Sequence, residues 1–475
     1  MSKKIRENII IIISLPILLG FAFMIGKFSI LGFASIASLI VGSVFFFFIL
    51  KNPFLGLQLT IFSLPFERIP TYDIGPFTLK LDQIFAGMTL ISWLLRVILS
   101  REKIQPYRLT WPLILFLFFS FVSVLLAVDF SRAISVYIFV VFMVVVSFLT
   151  VNIVNSKEKM EKIIKIFLLS ALITCLFGLY QFLGDVAGLP LTLTGLKESY
   201  SKAILGFPRI QAFSMEPLYF ANFLFIPLGL AMAIYSFKDN SIITRSNTIL
   251  LILLILINII LGISRGAYVG LSAMILFFLI FLVRKTITVK NFIATISISL
   301  VLGFGAYGFL SISNPGALDS FIEHAKVSDF SQGESVQKRL QDYDKAIIYW
   351  QESPIIGIGP GNYGPRYLNY PSHENVTDWQ IVNNEYIEIL AETGVVGLLL
   401  FIIIILAIFV GSVGSYFRTR DPKLKMITFG LLAAFVAIFV QYNFFSTLYI
   451  MHIWILIGLM IAMQNIIYNT NKQVK

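Results

Sequence analysis

Long apolar runs separated by short polar stretches dominate this chain, and fourteen such segments can be marked. A run of about 18 apolar residues or more can cross a bilayer as a helix. The third segment is short and bracketed by Pro53 and Pro65, so a re-entrant or tilted half-helix is an alternative there. The pattern predicts an all-α polytopic membrane protein with about 12–14 transmembrane helices. The segments are 8–26, 28–50, 53–65, 82–99, 112–128, 132–154, 163–183, 215–236, 247–263, 267–283, 291–311, 387–413, 426–444 and 447–467.

A long polar stretch, residues 312–386, separates the eleventh and twelfth segments and is called the insert below. Four of its apolar residues fall at helical spacing: Leu340, Tyr343, Ile347 and Trp350. They predict an amphipathic helix from about Val336 to Gln351. Residues 363–379 are expected to be irregular. Three parts follow: an N-terminal transmembrane bundle over 1–311, the insert as one large loop, and C-terminal transmembrane helices over 387–475.

The basic residues predict how these segments are oriented. With the N-terminus in the cytoplasm and the segments alternating, nearly every Lys/Arg cluster falls in a cytoplasmic loop or tail, as the positive-inside rule requires. Both termini are then cytoplasmic and the insert is extracytoplasmic. The N-terminal run is expected to remain as a first helix, because it is longer than a signal peptide and has no A-x-A site.

Composition supports a membrane protein and excludes several other classes. The 475 residues are 58% hydrophobic, with a mean hydropathy of +0.88 and a net charge of +11. In such a chain the positive charge indicates cytoplasmic loops, and no motif resembles a nucleic-acid-binding module. One cysteine, Cys175, excludes a disulfide within the chain, and three scattered histidines do not make a metal site.

Two arginines at the edges of apolar runs are the first candidates for chemistry, because a bare charge is costly there. Arg265, in Gly-Ile-Ser-Arg-Gly-Ala-Tyr, is either a guanidinium fork for a phosphate or a snorkelling residue that marks the interface. The small residues around it are expected to leave room for a ligand. Arg209 lies in a second outer loop, and two such arginines suit a diphosphate. Three roles are open for Glu216: a general base, a partner of an arginine, or an acid at a helix N-terminus.

The insert offers a glycine-rich turn, Gly357-Ile-Gly-Pro-Gly361, and two of the three histidines. The turn lacks the Gly-Lys-Ser/Thr ending of a P-loop, so its expected role is close backbone approach to a ligand or to another loop. His373 is a candidate base or an ordinary loop histidine. His452, within the last apolar run, is expected to be satisfied by neighbouring helices.

The order of these motifs resembles the O-antigen ligase / Wzy-type polymerase family of bacterial polysaccharide assembly. The resemblance begins at Arg209 and runs through Ser264-Arg265-Gly266, Arg339, Pro354-Ile-Ile-Gly-Ile-Gly-Pro-Gly-Asn-Tyr and Asn384-Glu-Tyr-Ile-Glu-Ile-Leu-Ala-Glu-Thr-Gly-Val-Val-Gly. It implies a multi-pass protein of the bacterial cytoplasmic membrane that transfers a glycan from undecaprenyl diphosphate to an acceptor glycan. Ligases typically carry a histidine where this chain has Asn383, which is more similar to the polymerase branch.

The resemblance also implies roles for individual residues, with no cofactor and no metal. Arg209 and Arg265 stabilise the diphosphate leaving group, and a base among Glu216, His373 and Glu385 activates the acceptor. The residues implied in substrate binding are Arg339, Gly359, Gly361, Asn383, Asn384 and Tyr386. Membrane lipids and a chain-length regulator are further expected partners, and nucleic acid is not.

Two other functions remain beside polymerisation. One is ligation of a finished glycan to lipid A core or another acceptor. The other is transport of such lipids, which internal repeats and charges at the membrane centre would favour. No clear repeat is present in the sequence.

Overall fold

The computed structural model describes residues 40–68, 71–74, 77–239, 241–282, 334–368 and 380–473. Within these residues the chain is almost entirely helical, with one short β-hairpin. The predicted segments 8–26 and 291–311, the residues before 40 and His373 lie outside the described residues.

The helices follow the predicted apolar segments closely. They are α1 (Ile40–Lys51), α2 (Pro53–Ser63), α3 (Leu81–Ser100), α4 (Thr110–Val124), α5 (Phe130–Ile153), α6 (Lys157–Val186), α7 (Leu191–Thr194), α8 (Lys202–Leu205), α9 (Pro217–Ser236), α10 (Arg245–Leu261), α11 (Arg265–Leu282), α12 (Glu334–Glu352), α13 (Tyr363–Leu368), α14 (Glu385–Arg418), α15 (Pro422–Gln441) and α16 (Met451–Gln473). A 3₁₀ turn spans Glu198–Tyr200, and β1 (Thr71–Ile74) pairs antiparallel with β2 (Phe77–Lys80).

Seven of the described helices are long and apolar enough to cross a membrane, and five shorter ones are apolar over 10–17 residues. The prediction of an all-α polytopic membrane protein is therefore confirmed. The short third segment forms a helix of 11 residues, α2.

The chain forms two units. One comprises residues 1–56 and 87–102, and within it the Ser92 hydroxyl donates a 2.7 Å hydrogen bond to the Ile49 carbonyl. The other comprises residues 57–86 and 103–475 and holds every candidate residue considered below. Its core is a bundle in which α9 packs on α15 and α10, α5 packs on α16, and α4 packs on α14. A Cβ on Gly229 would lie 2.6 Å from the Gly430 carbonyl oxygen, so glycine permits the close crossing of α9 and α15.

The two ends of this bundle carry different groups. At the end away from the insert, Lys157 pairs with Asp421 and Lys423 pairs with Glu161 at 2.9 Å. The other end carries the N-termini of α9, α11, α14 and α16 together with the described part of the insert.

The insert docks into a kink of α14 at Gly394, whose backbone is non-helical with φ of 69°. The kink frees backbone groups of α14, and the glycine-rich turn pairs with them. The Val395 N–H donates to the Pro354 carbonyl at 2.9 Å, and the Gly359 N–H donates to the Glu392 carbonyl at 2.9 Å. The insert is thus hydrogen-bonded into the bundle along this edge.

The predicted amphipathic helix is present as α12, but its most deeply buried residues are not the four apolar ones that predicted it. Asp342, Ala346 and Tyr349 are at most 1% exposed, whereas Leu340 is 52% exposed. The buried face includes the polar groups that hydrogen-bond to Tyr363, so apolar spacing alone did not identify it. The expectation of an irregular 363–379 is also corrected in its first part, which forms the short helix α13.

Candidate active site

Arg209 lies in the loop between α8 and α9 and is fixed by hydrogen bonds to two neighbouring segments. Its backbone N–H donates to the Tyr200 carbonyl at 2.9 Å, and its guanidinium Nη2 donates to the Ile263 carbonyl at 3.0 Å. The guanidinium also lies 5.4 Å from the centre of the Tyr200 ring, a cation–π distance. Arg209 therefore ties its loop to the turn that precedes Arg265.

Three arginines and one glutamate from separate segments share one electrostatic neighbourhood. Burial lowers the pKa of Arg209; nearby Glu216 opposes this shift and nearby Arg265 adds to it. Burial likewise lowers the pKa of Arg339, on which Arg265 and Glu216 act in the same directions. We call Arg209, Arg265, Arg339 and Glu216 the arginine cluster. Positively charged side chains grouped in this way favour the binding of an anionic ligand.

The ligand-binding capacity of Arg209 is only partly used. Its Nε is buried and has no hydrogen-bond partner among the described residues. A buried guanidinium N–H without a partner costs free energy, which a phosphate oxygen would recover.

Arg265 begins α11, and the glycine beside it has a packing role rather than the expected role of leaving room. A Cβ on Gly266 would lie 2.6 Å from Phe444 Cβ and 3.2 Å from Leu218 Cδ1. The space at the Cβ position of Gly266 is therefore already filled. Gly266 brings α11 into contact with the loop before α16 and with α9.

Glu216 precedes α9 at the N-cap position, but its side chain makes no capping hydrogen bond. The side chain is exposed. Its position beside Arg209 and Arg339 fits the arginine-partner and general-base hypotheses, and no capping hydrogen bond supports a purely helix-terminal role.

The predicted substrate-binding glycines contact the bundle. Gly359 and Gly361 have positive φ angles of 103° and 70°. A Cβ on Gly359 would lie 2.5 Å from Ala127 Cβ, and the Gly361 N–H donates to Glu392 Oε2 at 2.7 Å. Of the two expected uses of the turn, contact with other segments is the one present here, although Gly361 also lines the cavity described below.

Asn383, Asn384 and Tyr386 lie where the insert joins α14. Asn384 Oδ1 accepts hydrogen bonds from the Tyr386 and Ile387 N–H groups at 3.1 and 3.2 Å, so Asn384 caps the helix. The Tyr386 hydroxyl donates to the Phe439 carbonyl at 2.6 Å, and Asn383 has a positive φ of 59°. These contacts shape the junction; substrate binding by the three residues stays a prediction.

A cavity of about 610 Å³ lies beside these residues, at the insert end of the bundle. Six acidic and two basic side chains contribute to its lining in the described part of the chain. They are Glu67, Asp82, Asp129, Glu385, Glu388 and Glu392, with Lys80 and Arg132. We call it the acidic cavity.

Three glutamates on successive turns of α14 form one wall of the acidic cavity, each held by a backbone donor. Glu385 Oε2 accepts from the Thr447 N–H at 2.6 Å, and Glu388 Oε2 accepts from the Val382 N–H at 2.8 Å. Glu392 accepts from two N–H groups of the insert. Among the described residues, no group of three or more His, Cys, Asp or Glu side chains is placed to hold a metal ion.

A family comparison covers the part of the chain that contributes Arg265, Arg339 and the glutamates of α14. Residues 250–402 match the O-antigen ligase (Wzy_C) family. The resemblance predicted from the sequence is confirmed. No curated protein matches the chain. Arg209 and Glu216 precede the matched residues, and the structure brings them to the same cluster.

The O-antigen ligase match and the apolar helices together give the coarse assignment. The chain is a multi-pass membrane protein, and its residues 250–402 are similar to a family of glycosyl-transferring enzymes that act on lipid-linked glycans.

One functional segment was missed by sequence reasoning: the loop over residues 442–450, between α15 and α16, which we call the connecting loop. It packs against Gly266, the neighbour of Arg265 in sequence, and it lines the acidic cavity. Its contacts are Asn443 O with the Tyr343 hydroxyl at 3.3 Å, Phe444 with Gly266, Ser446 Oγ with the Asn384 N–H at 2.9 Å, and Thr447 with Glu385 and the Tyr219 hydroxyl. Its signal in the sequence was a few polar residues, among them Asn443, Ser446 and Thr447, near the junction of two apolar segments.

His452 lies in the first turn of α16 and lines the acidic cavity. Its Nε2 is 2.6 Å from Asn222 Oδ1, and Asn222 Nδ2 donates to Gln441 Oε1 at 2.6 Å. The expectation of a histidine satisfied by neighbouring helices agrees with this pairing.

Proposed function

We propose that this protein joins undecaprenyl-diphosphate-linked oligosaccharide repeat units at the outer face of the bacterial cytoplasmic membrane. The observation that carries the proposal is the arginine cluster: Arg265 and Glu216 act electrostatically on both Arg209 and Arg339, which come from separate segments. Two anionic groups of a diphosphate need more than one guanidinium to pair with, and this cluster offers three.

The proposed step is a metal-independent displacement at the anomeric carbon of the donor glycan. The acceptor hydroxyl oxygen forms the new bond to that carbon, and the bond from the carbon to the diphosphate oxygen breaks. The diphosphate leaves with the electron pair, and the arginines stabilise the negative charge that grows on it. Undecaprenyl diphosphate is released, and the configuration at the anomeric carbon is inverted.

The proton of the acceptor hydroxyl needs a base, and we assign this role to Glu216. Its carboxylate is exposed beside the arginines, and the preceding residue, Met215, lines the acidic cavity. Glu385 is the competing candidate, but its carboxylate already holds the Thr447 N–H at 2.6 Å. Glu216 is therefore the more accessible of the two.

The orientation of the protein in the membrane is part of the same proposal. The arginine cluster lies at the insert end, while Lys157, Lys423 and their acidic partners lie at the opposite end. Basic residues mark the cytoplasmic side, so the insert and both substrates lie outside.

Ligation of a finished glycan to lipid A core or another acceptor is the second candidate, because the matched family carries the description O-antigen ligase. Asn383, at the position where ligases typically carry a histidine, favours polymerisation. A chain-length regulator would act with a polymerase but not with a ligase.

The deciding experiment uses the purified full chain in lipid nanodiscs with a synthetic undecaprenyl-diphosphate repeat unit as the sole substrate. A ladder of longer lipid-linked glycans supports polymerisation. Product that forms only after lipid A core is added supports ligation, and no transfer in either case contradicts both candidates.

Variants of the first residues of α10 and α11 give a matched comparison in that assay. Arg265→Ala, at the start of α11, is expected to reduce transfer about 10²–10³-fold, as loss of a donor to a developing oxyanion does. Arg245→Ala, at the start of α10 and at the opposite end of the bundle, is expected to leave transfer unchanged. Equal activity of the two variants would remove Arg265 from the proposed mechanism.

A further inference from the structure

The loop over residues 209–216, which precedes α9, carries two residues of the proposed mechanism. Arg209 begins it and stabilises the leaving group, whereas Glu216 ends it and takes the acceptor proton. We call it the arginine loop. In an inverting displacement the leaving group and the acceptor hydroxyl lie on opposite sides of the anomeric carbon, so the two residues need a fixed separation. The contacts that hold each end of the loop therefore bear on catalysis.

The end that carries Glu216 is held through the residue before it. The Met215 N–H donates to Glu67 Oε2 at 2.9 Å, and the Met215 carbonyl accepts from Lys197 Nζ at 2.7 Å. The Glu67 carboxylate is buried, and its other oxygen lies 3.9 Å from Lys80 Nζ. A backbone N–H bonds more strongly to an ion-paired carboxylate than to a neutral acceptor. Glu67 therefore holds the N–H side of Met215 firmly.

The neighbours of Glu67 in sequence support this contact. The Arg68 N–H donates to the Phe213 carbonyl at 3.1 Å, and the ring centres of Phe66 and Phe213 are 4.9 Å apart. Phe213 also stacks on Phe177 of α6, with ring centres 4.0 Å apart. Residues 66–68 thus run along the arginine loop, and Glu67 reaches it from a backbone that is itself fixed.

The arginine loop depends on such contacts because its backbone is strained. Ala212 has a positive φ of 47°, a conformation that residues other than glycine rarely adopt. Strained backbone persists only where the surrounding structure enforces it. The Gln181 side chain contributes by donating to the Ala212 carbonyl at 3.1 Å. Loss of a further contact would let the loop relax and move the residues at its end.

The other end of the loop is anchored independently of Glu67. The Arg209 guanidinium donates to the Ile263 carbonyl at 3.0 Å, and the Ile210 N–H donates to the Leu261 carbonyl at 3.3 Å. Both bonds go to the end of α10 and the turn that follows it, not to the segment after α2. Loss of Glu67 should therefore disturb one end of the loop and leave the other in place.

We propose that Glu67 is a positioning residue for Glu216: by holding the Met215 N–H, it fixes the place from which the Glu216 carboxylate meets the acceptor hydroxyl. This inference rests on the proposed function, because Glu216 needs a fixed place only if it takes the acceptor proton. Glu67 acts through the backbone and exchanges no proton with the acceptor. It lies outside residues 250–402, the part of the chain that matches the family.

Two substitutions of Glu67 separate positioning from direct chemistry in the nanodisc transfer assay. Glu67→Ala removes the acceptor of the Met215 N–H and is expected to lower kcat about 10–100-fold, as small misplacements of reacting groups do. Glu67→Gln keeps an acceptor oxygen but cannot act as a base, so its kcat is expected to stay within about threefold of the wild-type value. An equal loss in both variants would make Glu67 a reacting group, and no loss in Glu67→Ala would remove it from the reaction; either result overturns the proposal.

Binding of undecaprenyl diphosphate distinguishes positioning from a general loss of structure. Glu67→Ala is expected to bind it with a Kd within about twofold of the wild-type value, because the Arg209 end keeps its own anchors. A loss of binding that parallels the loss of kcat would indicate a collapsed site and contradict the proposal.

Glu161→Ala is the matched control for the lost ion pair. It removes a carboxylate that pairs with Lys423 at 2.9 Å at the opposite end of the bundle, and it is expected to leave kcat unchanged. A loss of kcat equal to that of Glu67→Ala would show that the effect is not specific to the arginine loop, which would also contradict the proposal.

Hydrogen–deuterium exchange across the arginine loop gives a readout that does not depend on activity. The Met215 amide is expected to exchange about tenfold faster in Glu67→Ala, and at the wild-type rate in Glu67→Gln and Glu161→Ala. Unchanged exchange in Glu67→Ala would refute this inference alone. If the exchange differs as expected but the wild-type chain transfers no sugar, the proposed function is refuted while the hold of Glu67 on the loop stands. Full activity of Glu216→Gln would refute both.

Discussion

The Glu392 carboxylate accepts a 2.7 Å hydrogen bond from the Gly361 N–H, so a side chain of α14 fixes the glycine-rich turn of the insert. The other oxygen of Glu392 accepts from the Tyr363 N–H at 3.1 Å. One residue thus satisfies two backbone donors just where the insert meets the bundle.

Glu392→Ala is expected to destabilise the insert, because both donors lose their acceptor. Each buried donor left unpaired costs about 1–3 kcal/mol. Proteolysis within the insert should become faster, and the melting temperature in nanodiscs should fall. Glu392→Gln, which keeps one acceptor oxygen, should show a smaller effect; no difference between the two variants would contradict this role.

Gly394→Ala is expected to be among the most destabilising substitutions in the chain. Gly394 has a positive φ of 69°, and a Cβ there would lie 2.2 Å from the Ile355 carbonyl oxygen. Gly188→Ala is the control, because Gly188 also has a positive φ, of 79°, but nothing lies within 4 Å of its Cβ position. The strained backbone alone should cost about 1–2 kcal/mol at either glycine. Denaturation of both variants measures the additional cost of the clash, and equal losses would show that the insert does not dock at the kink.

Gly266→Ala is expected to lower the kcat of transfer strongly while the melting temperature changes little. The added methyl would push on Phe444 and displace the first turn of α11, where Arg265 lies. Gly414→Ala, with open space around its Cβ position on α14, should be neutral or slightly stabilising. Measuring kcat and the melting temperature of both variants checks this prediction. Adding Phe444→Ala to Gly266→Ala should partly restore the activity.

Asp342→Asn is expected to stabilise the protein at neutral pH. Burial raises the pKa of Asp342 above its ordinary value, although the Tyr363 hydroxyl donates to it at 3.1 Å. When an acid has a higher pKa in the folded than in the unfolded chain, stability falls as pH rises from the unfolded pKa, about 3.9, through the folded one.

The gain from Asp342→Asn should therefore be present at pH 7 and shrink as the pH falls towards about 4. Thermal unfolding of the variant and of the exposed control Asp344→Asn at both pH values measures it. A larger gain in stability at the lower pH would contradict this prediction.

The orientation is tested with single cysteines, since the native Cys175 is buried. Gln351→Cys on α12 should react with a membrane-impermeant maleimide added to intact spheroplasts. Ser241→Cys, between α9 and α10, should react only after the membrane is permeabilised. The opposite pattern would place the insert in the cytoplasm.

Helix positions were predictable from the sequence because apolar length alone determines where a helix can cross a bilayer. The predicted segment 82–99 corresponds to Leu81–Ser100, and 247–263 to Arg245–Leu261. Arg209 and Arg265 were chosen as candidates from the sequence because a bare charge at the edge of an apolar run is costly, whereas Arg339 was chosen only through the family resemblance.

Packing between distant segments was not predictable from the sequence. The burial of Asp342 on α12 could not be predicted, because its hydrogen-bond partner, Tyr363, lies beyond the end of that helix. The role of Gly266 depends on Phe444, which is far away in sequence. The acidic cavity combines residues from Glu67 to His452, and no local pattern joins them.

The connecting loop lies outside the insert, so the insert and the helical bundle can have separate roles. Phe444 packs against Gly266, next to Arg265, and the Thr447 N–H donates to Glu385, so one short loop outside the insert connects the start of α11 with the acidic cavity. Under the proposed function, this loop would fix the spacing between the leaving group and the acceptor. Inserts exchanged between relatives would change which glycans are admitted, while the alignment of the two reacting ends would be inherited from the host bundle.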